Sequence, residues 1–175
     1  MDRLISPLTH IEHKDRKFLL TDSPTDYNIE TYIAVLLKEN CRHLVRACTP
    51  TYNYTPSQFL QRGIFVYDLP FPDGSSPSED IVGKWLTILE ETRATKDGKD
   101  AKPSKIAVHC ISGLGRAPVL IAISMIEAGC EYSEAITTIR KRRVGSFNQK
   151  QITFLSSYKP HRSSSSFLHS SCVIL

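Results

Sequence analysis

Apolar residues follow two spacings along this chain. At residues 17–20, at Leu44, Val45 and Ala47, at residues 63–67 and at Ile106, Ala107 and Val108 they form brief runs bounded by polar or turn-forming residues, which predict short buried strands. Elsewhere they recur every three or four positions. Ile29, Ile33, Leu36 and Leu37 within residues 26–39 predict a helix with one buried stripe, closed by Asn40. Ile81, Val82, Trp85, Leu86, Ile88 and Leu89 predict a second helix, starting at Ser78 and ending near the breaker-rich run 95–103, with Trp85 in the core. Residues 117–128 are apolar with no breaker after Pro118, so they predict a buried helix. Two amphipathic helices follow, one capped by Ser133 and reaching about Arg140, the other spanning 148–158. Between these segments, residues 49–57 are polar and Tyr-rich, and residues 68–77, with three prolines and a glycine, must form a loop.

Strands alternating with helices, then helices alone, predict an α/β domain with a mainly parallel central sheet and helices on both faces. A chain of 175 residues fits one such domain, placed at 1–160, followed by a flexible Ser-rich tail at 161–175 that contains Ser163 to Ser166. The composition, 41% hydrophobic and 23% charged, excludes a fibrous repeat or global disorder. Lys and Arg number 22 against 18 Asp and Glu, an excess too small to indicate a nucleic-acid partner. No apolar run approaches the roughly 18 to 20 residues of a membrane span, and the first twenty residues alternate charged with apolar side chains rather than forming a signal core, so synthesis in the cytosol is expected. The five cysteines, at 41, 48, 110, 130 and 172, form no Cys-x-x-Cys pair and no zinc spacing, so neither a metal cofactor nor a disulfide framework is expected. Cys41 and Cys130 read as small core residues.

The chemistry concentrates at His109-Cys110-Ile111-Ser112-Gly113-Leu114-Gly115-Arg116, which joins a buried strand to a buried helix. In that setting the backbone N–H groups of Ile111, Ser112, Gly113, Leu114 and Gly115 can converge on one centre, and the helix N-terminus adds partial positive charge, so a phosphate dianion fits. Gly113 and Gly115 are expected to supply the backbone angles of this nest. The same field stabilises the thiolate form of Cys110, the nucleophile that phosphoryl transfer needs. Arg116 can fork two hydrogen bonds onto phosphoryl oxygens, which lysine cannot. The leaving oxygen needs a proton donor. The Pro-rich loop offers Asp73, flanked by Pro70, Pro72 and Gly74, with Asp68 as the alternative.

On these residues the chain resembles the protein tyrosine phosphatase superfamily, and within it the phosphatase-of-regenerating-liver family of small, prenylated, dual-specificity-like enzymes. His109 to Pro118 is similar to that family's active-site loop, including Ala117 where most of the superfamily carries Ser or Thr. The resemblance puts the general acid at Asp73, a regulatory cysteine at Cys48 and the glutamine-containing loop at Asn148-Gln149-Lys150-Gln151. It implies phosphorylated protein or other phosphoester substrates, hydrolysed slowly through a cysteinyl phosphate without a cofactor. A second implied role is docking of a cyclin-M-type magnesium transporter through the active-site face, by a module that turns over slowly or not at all. The sequence departs from the family at Pro72, usually an aspartate, and at Leu69, usually a tryptophan.

Cys172-Val173-Ile174-Leu175 fits a prenylation signal whose final Leu favours geranylgeranyl, which implies peripheral attachment of a cytoplasmic protein to plasma or endosomal membranes. One lipid needs a second signal, and the cluster Arg140, Lys141, Arg142, Arg143 is expected to face anionic lipid, each charge adding about 1 kcal/mol. Cys48, ending its apolar segment, should lie at the carboxyl edge of the sheet beside Cys110. There it could capture an oxidised Cys110 as a disulfide, the redox role that the resemblance also implies.

Overall fold

The computed structural model of the protein describes residues 8–49, 54–94 and 105–161. Five strands, β1 (Thr9–His13), β2 (Arg16–Thr21), β3 (Cys41–Arg46), β4 (Phe65–Asp68) and β5 (Lys105–His109), form one sheet in the order β1-β2-β5-β3-β4. Only β1 runs antiparallel, paired with β2; every other neighbouring pair is parallel. The central strand β5 buries Ile106, Ala107, Val108 and His109, as expected of a strand covered on both faces.

Helices α1 (Ile29–Lys38) and α2 (Pro56–Leu60) cover one face, where Ile33, Leu36 and Phe59 pack with Leu19, Leu44 and Ala107. On the other face lie α3 (Glu79–Ala94), α4 (Arg116–Glu127), α5 (Tyr132–Arg142) and α6 (Gln149–Ser157), packed over Phe18, Leu20, Val45, Ile106 and Val108. Helix α4 is the centre of this layer, with every residue from Arg116 to Ile126 buried. Trp85 of α3 is fully buried, and its indole N–H donates to the Leu120 carbonyl at 2.7 Å. Cys41 and Cys130 are buried, and burial pushes their thiols up to about 12 and about 11, so both stay protonated and inert at neutral pH.

Several elements differ from the sequence reading. Strand β1 was hidden in the charged N-terminal stretch: Thr9 and Ile11 are buried while His10 and Glu12 face out, the alternation of an edge strand with one wet face. Helix α2 interrupts the polar run. It opens on Pro56, with the Thr55 N–H donating to Gln58 Oε1 at 3.0 Å, and is held down by the single buried residue Phe59. Strand β4, expected to be buried, is the exposed sheet edge, with Phe65 52% accessible. Helix α5 starts two residues earlier than expected, with Glu131 rather than Ser133 at its N-cap.

Parallel strands share a carboxyl edge, and that edge collects the chemistry here. Asp22 follows β2, Cys48 follows β3, Asp68 ends β4 and Cys110 follows β5.

Candidate active site

Between Cys110 and Arg116 the chain turns with its carbonyl groups bonded to the structure around it. Cys110 O accepts from His109 Nδ1 at 2.9 Å, Ile111 O from the Ser23 N–H at 3.0 Å and Ser112 O from the Arg143 guanidinium at 2.8 Å. Leu114 O accepts from the Phe147 N–H at 2.8 Å and Gly115 O from the Val119 N–H at 3.2 Å. All peptide bonds here are trans, so each outward carbonyl forces the N–H of the next residue to the opposite side. The N–H groups of Ile111, Ser112, Gly113, Gly115 and Arg116 therefore face the concave side, at the N-terminus of α4, as an anion requires. The two glycines serve different ends. Gly113 adopts φ +68, and a Cβ there would lie 2.6 Å from Thr21 O. Gly115, expected to need a glycine-only angle, has φ −113; there the missing side chain leaves room for the Gln151 amide, which a Cβ would meet at 3.3 Å.

Behind Cys110 stands a chain of polar contacts that the sequence reading missed. His109 is fully buried, and burial pushes its imidazole down to about 4, so it is neutral at pH 7. Since a carbonyl can only accept, Nδ1 must carry the proton it gives to Cys110 O. Nε2 then accepts from the Tyr54 hydroxyl at 2.6 Å. The Arg46 guanidinium lies 4.8 Å from the Tyr54 ring centre and forks onto Asp68 at 2.5 and 2.9 Å. Arg46 and Asp68 are register partners at the ends of β3 and β4, a pairing visible only once the two strands are aligned.

This arrangement separates the two candidate acids. Both Asp68 oxygens are engaged by Arg46, which is 3% exposed. Asp73 is 80% exposed and lies 3.2 Å from Arg116 Nε, an ion contact without hydrogen-bond geometry. Arg116 itself is buried and donates from Nη1 to Phe71 O at 3.3 Å. The loop carrying Asp73 is held at both ends. At its start Arg46 O accepts from the Leu69 N–H at 2.9 Å; at its tip Asn148 Nδ2 donates to Gly74 O at 2.9 Å and Gln151 Nε2 to Ser75 O at 3.1 Å. Asn148 and Gln151 are in turn locked by the capping box that opens α6.

Cys48 is buried beside this site. Burial raises its thiol, Arg116 draws it down and Cys110 pushes it up, so it lies within the field of both. Ala117 is fully buried at the start of α4. The basic cluster divides. Arg143, expected to face lipid, is 8% exposed, pairs with Asp22 and braces Ser112. Arg140 donates to Ser146 O at 2.9 Å and Phe147 O at 3.1 Å, bracing the segment that holds Leu114. Arg140, Lys141 and Arg142 are all exposed. Cys172 lies outside the described residues.

Residues 70–159 match the protein-tyrosine phosphatase family. The chain is 46% identical over 162 residues to a probable protein tyrosine phosphatase type IVA A of Dictyostelium discoideum, covering 93% of each, and 41% identical over 150 residues to the human protein tyrosine phosphatase type IVA 3, covering 86% of this chain and 83% of that one. The chain belongs to the type IVA protein tyrosine phosphatases, the phosphatase-of-regenerating-liver family. Among solved structures, a protein tyrosine phosphatase of Leishmania major superposes with a TM-score of 0.79 at 36% identity, covering 88% of this chain and 99% of its own. This type IVA phosphatase is thus a hydrolase of dual-specificity-like type acting on phosphorylated substrates, as the sequence reading expected.

Proposed function

We propose that this type IVA phosphatase dephosphorylates phosphotyrosine and related phosphoesters on proteins through the thiolate of Cys110. The observation carrying this is the inward set of five N–H groups closed by Arg116 around the Cys110 position. The Cys110 sulfur forms a bond to phosphorus as the bond to the leaving oxygen breaks. Asp73 gives that oxygen its proton, and Arg116 holds two equatorial oxygens. Water then attacks the cysteinyl phosphate and frees Cys110. Ala117 offers no hydroxyl to the departing sulfur, so this second step is slow. Intact-mass measurement within seconds of adding an aryl phosphate should therefore show a phosphorylated chain, and Ala117→Ser should shorten its lifetime and raise turnover several-fold. No adduct in either protein would overturn the reading.

With both its oxygens engaged by Arg46, Asp68 leaves the acid role to Asp73. Asp73→Asn is expected to slow the first burst with poor leaving groups by roughly 10²-fold, within the usual range for general acids, and to change it little with activated ones. Asp68→Asn should instead lower the melting temperature. A burst that depends on Asp68 would transfer the role.

Cys48 is the candidate redox partner. Peroxide would take Cys110 to the sulfenic acid, and the Cys48 sulfur would displace hydroxide from it to give the disulfide. Mild peroxide should thus yield a Cys48–Cys110 peptide in non-reducing mapping, with activity restored by dithiothreitol in the parent but incompletely in Cys48→Ser. Equal recovery would remove this role. Among the described residues no helix is long and apolar enough to cross a membrane. Attachment by geranylgeranyl at Cys172 is carried by the last four residues, and protein from its own cells would show it as added mass. With Arg143 buried against Asp22 and Ser112, the exposed Arg140, Lys141 and Arg142 are the basic partners left for that lipid, Arg140 while also bracing Ser146 and Phe147. A magnesium-transporter partner is carried by the family resemblance.

A further inference from the structure

We propose that the groove between β4 and α3 docks an extended peptide segment of a protein partner, one that carries an apolar side chain and, at the end lying against Glu91, a lysine or arginine. The groove has a volume of about 520 Å³ and runs along one stripe of α3 from Asp80 to Glu91, facing Tyr67, Asp68 and Leu69. Eleven helical rises of about 1.5 Å give ~17 Å, the length of about five residues of extended chain.

Three features point to a peptide. The first is the edge itself. Among the described strands β4 pairs only with β3, so its outer N–H and C=O groups have no strand partner. Exposed edges are usually blunted by lysine, proline or a bulge. This one instead presents Phe65, 52% accessible, stacked against His43 at 5.9 Å, with the Tyr67 ring also 5.9 Å from that imidazole. Such a platform suits a strand added to the edge with alternate side chains turned into the groove.

The second feature is Gly83. It sits inside α3, where glycine costs about 1 kcal/mol relative to alanine, and a Cβ there would meet nothing within 4 Å. No packing among the described residues calls for it. A bare stretch of helix facing the groove does admit another backbone at close range, with Ile88 and Leu69 supplying apolar wall.

The third is charge. Asp80 is matched by Lys84 at 2.7 Å and Asp68 by Arg46. Glu91 makes no ion pair among the described residues; it lines the groove with Tyr67, whose hydroxyl is pushed up first by burial and then by the Glu91 carboxylate. The unmatched charge of the groove is therefore negative, at one end, which sets the basic residue of the occupant. The groove reaches Leu69, where the loop carrying Asp73 begins, so a docked segment could present its own phosphorylated residue to the phosphate loop. That use rests on the proposed catalytic reading, whereas peptide binding does not.

The test selects a displayed library of random heptapeptides on the immobilised full-length chain and measures the selected peptides by fluorescence anisotropy. Apolar-basic sequences should emerge and shift backbone amide resonances of Phe65 to Leu69 and of α3. They should bind at least tenfold more weakly to Gly83→Trp, which fills the groove, and at least threefold more weakly to Glu91→Lys, with thermal melting reporting the fold of each. Should Gly83→Trp fail to fold, Glu91→Lys decides alone. Peptides that bind both variants as tightly as the parent, shifts confined to the phosphate loop, or no selected peptide at all would overturn the proposal. Loss of aryl phosphate turnover in the parent with peptide binding intact would instead count against the catalytic reading alone.

Discussion

Cys110→Ser should lower aryl phosphate turnover by a factor on the order of 10⁴ or more and abolish the phosphorylated intermediate, because a serine hydroxyl in this loop stays protonated. The fold should survive. Cys110 is buried and the exchange of sulfur for oxygen is nearly isosteric, while every outward carbonyl bond of the loop is made by other residues. The inward N–H groups and Arg116 stay in place, so the variant should still bind vanadate or an unhydrolysed aryl phosphate, measurable by calorimetry. Loss of turnover together with loss of anion binding would mean that the loop had collapsed. Retained turnover would falsify the nucleophile assignment.

Gly113→Ala is expected to be nearly as damaging, by a different route. A Cβ at this position would sit 2.6 Å from Thr21 O and 2.9 Å from the Arg143 guanidinium, in a backbone conformation with φ +68. The left-handed conformation alone costs about 1 kcal/mol for a side-chain-bearing residue. Thr21 O cannot move to relieve the clash, because it ends β2 as the register partner of His109 in the central strand. The loop must give way instead, turning inward N–H groups out of line. Turnover should fall at least 10²-fold, in line with the loss of oxyanion donors elsewhere, and the melting temperature should drop by several degrees. Gly115→Ala is the matched control. Its Cβ would meet only the end of the Gln151 side chain, at 3.3 Å, and a modest loss is expected there. Equal effects of the two substitutions on turnover and melting would show that the loop is not built as described.

What the sequence made legible was whatever depends on neighbours along the chain. The helix from Arg116, the strand ending at His109 and the loop between them follow from an apolar run, a pair of glycines and an abrupt change of spacing. Harder to see were the contacts that depend on which strand ends lie side by side. Arg46 meets Asp68 because β3 pairs with β4, and Tyr54 reaches His109 across 55 positions. Arg143 was misjudged for the same reason: along the chain it is one of four consecutive basic residues, and only the fold turns it inward onto Ser112 and Asp22. Polarity gave no warning of α2, since Phe59 alone anchors it.

The loop carrying Asp73 is tied to the frame at Leu69, Gly74 and Ser75, and that bears on selectivity. A lid that opens and shuts can test each substrate twice, once on admission and once on closure, and reject those that fail to draw it shut. A loop built into the frame offers no second test. Any phosphorylated side chain that reaches the loop around Cys110 meets the same fixed donors, so discrimination among substrates must be exercised elsewhere on the surface, by contacts made with residues other than the one that loses its phosphate.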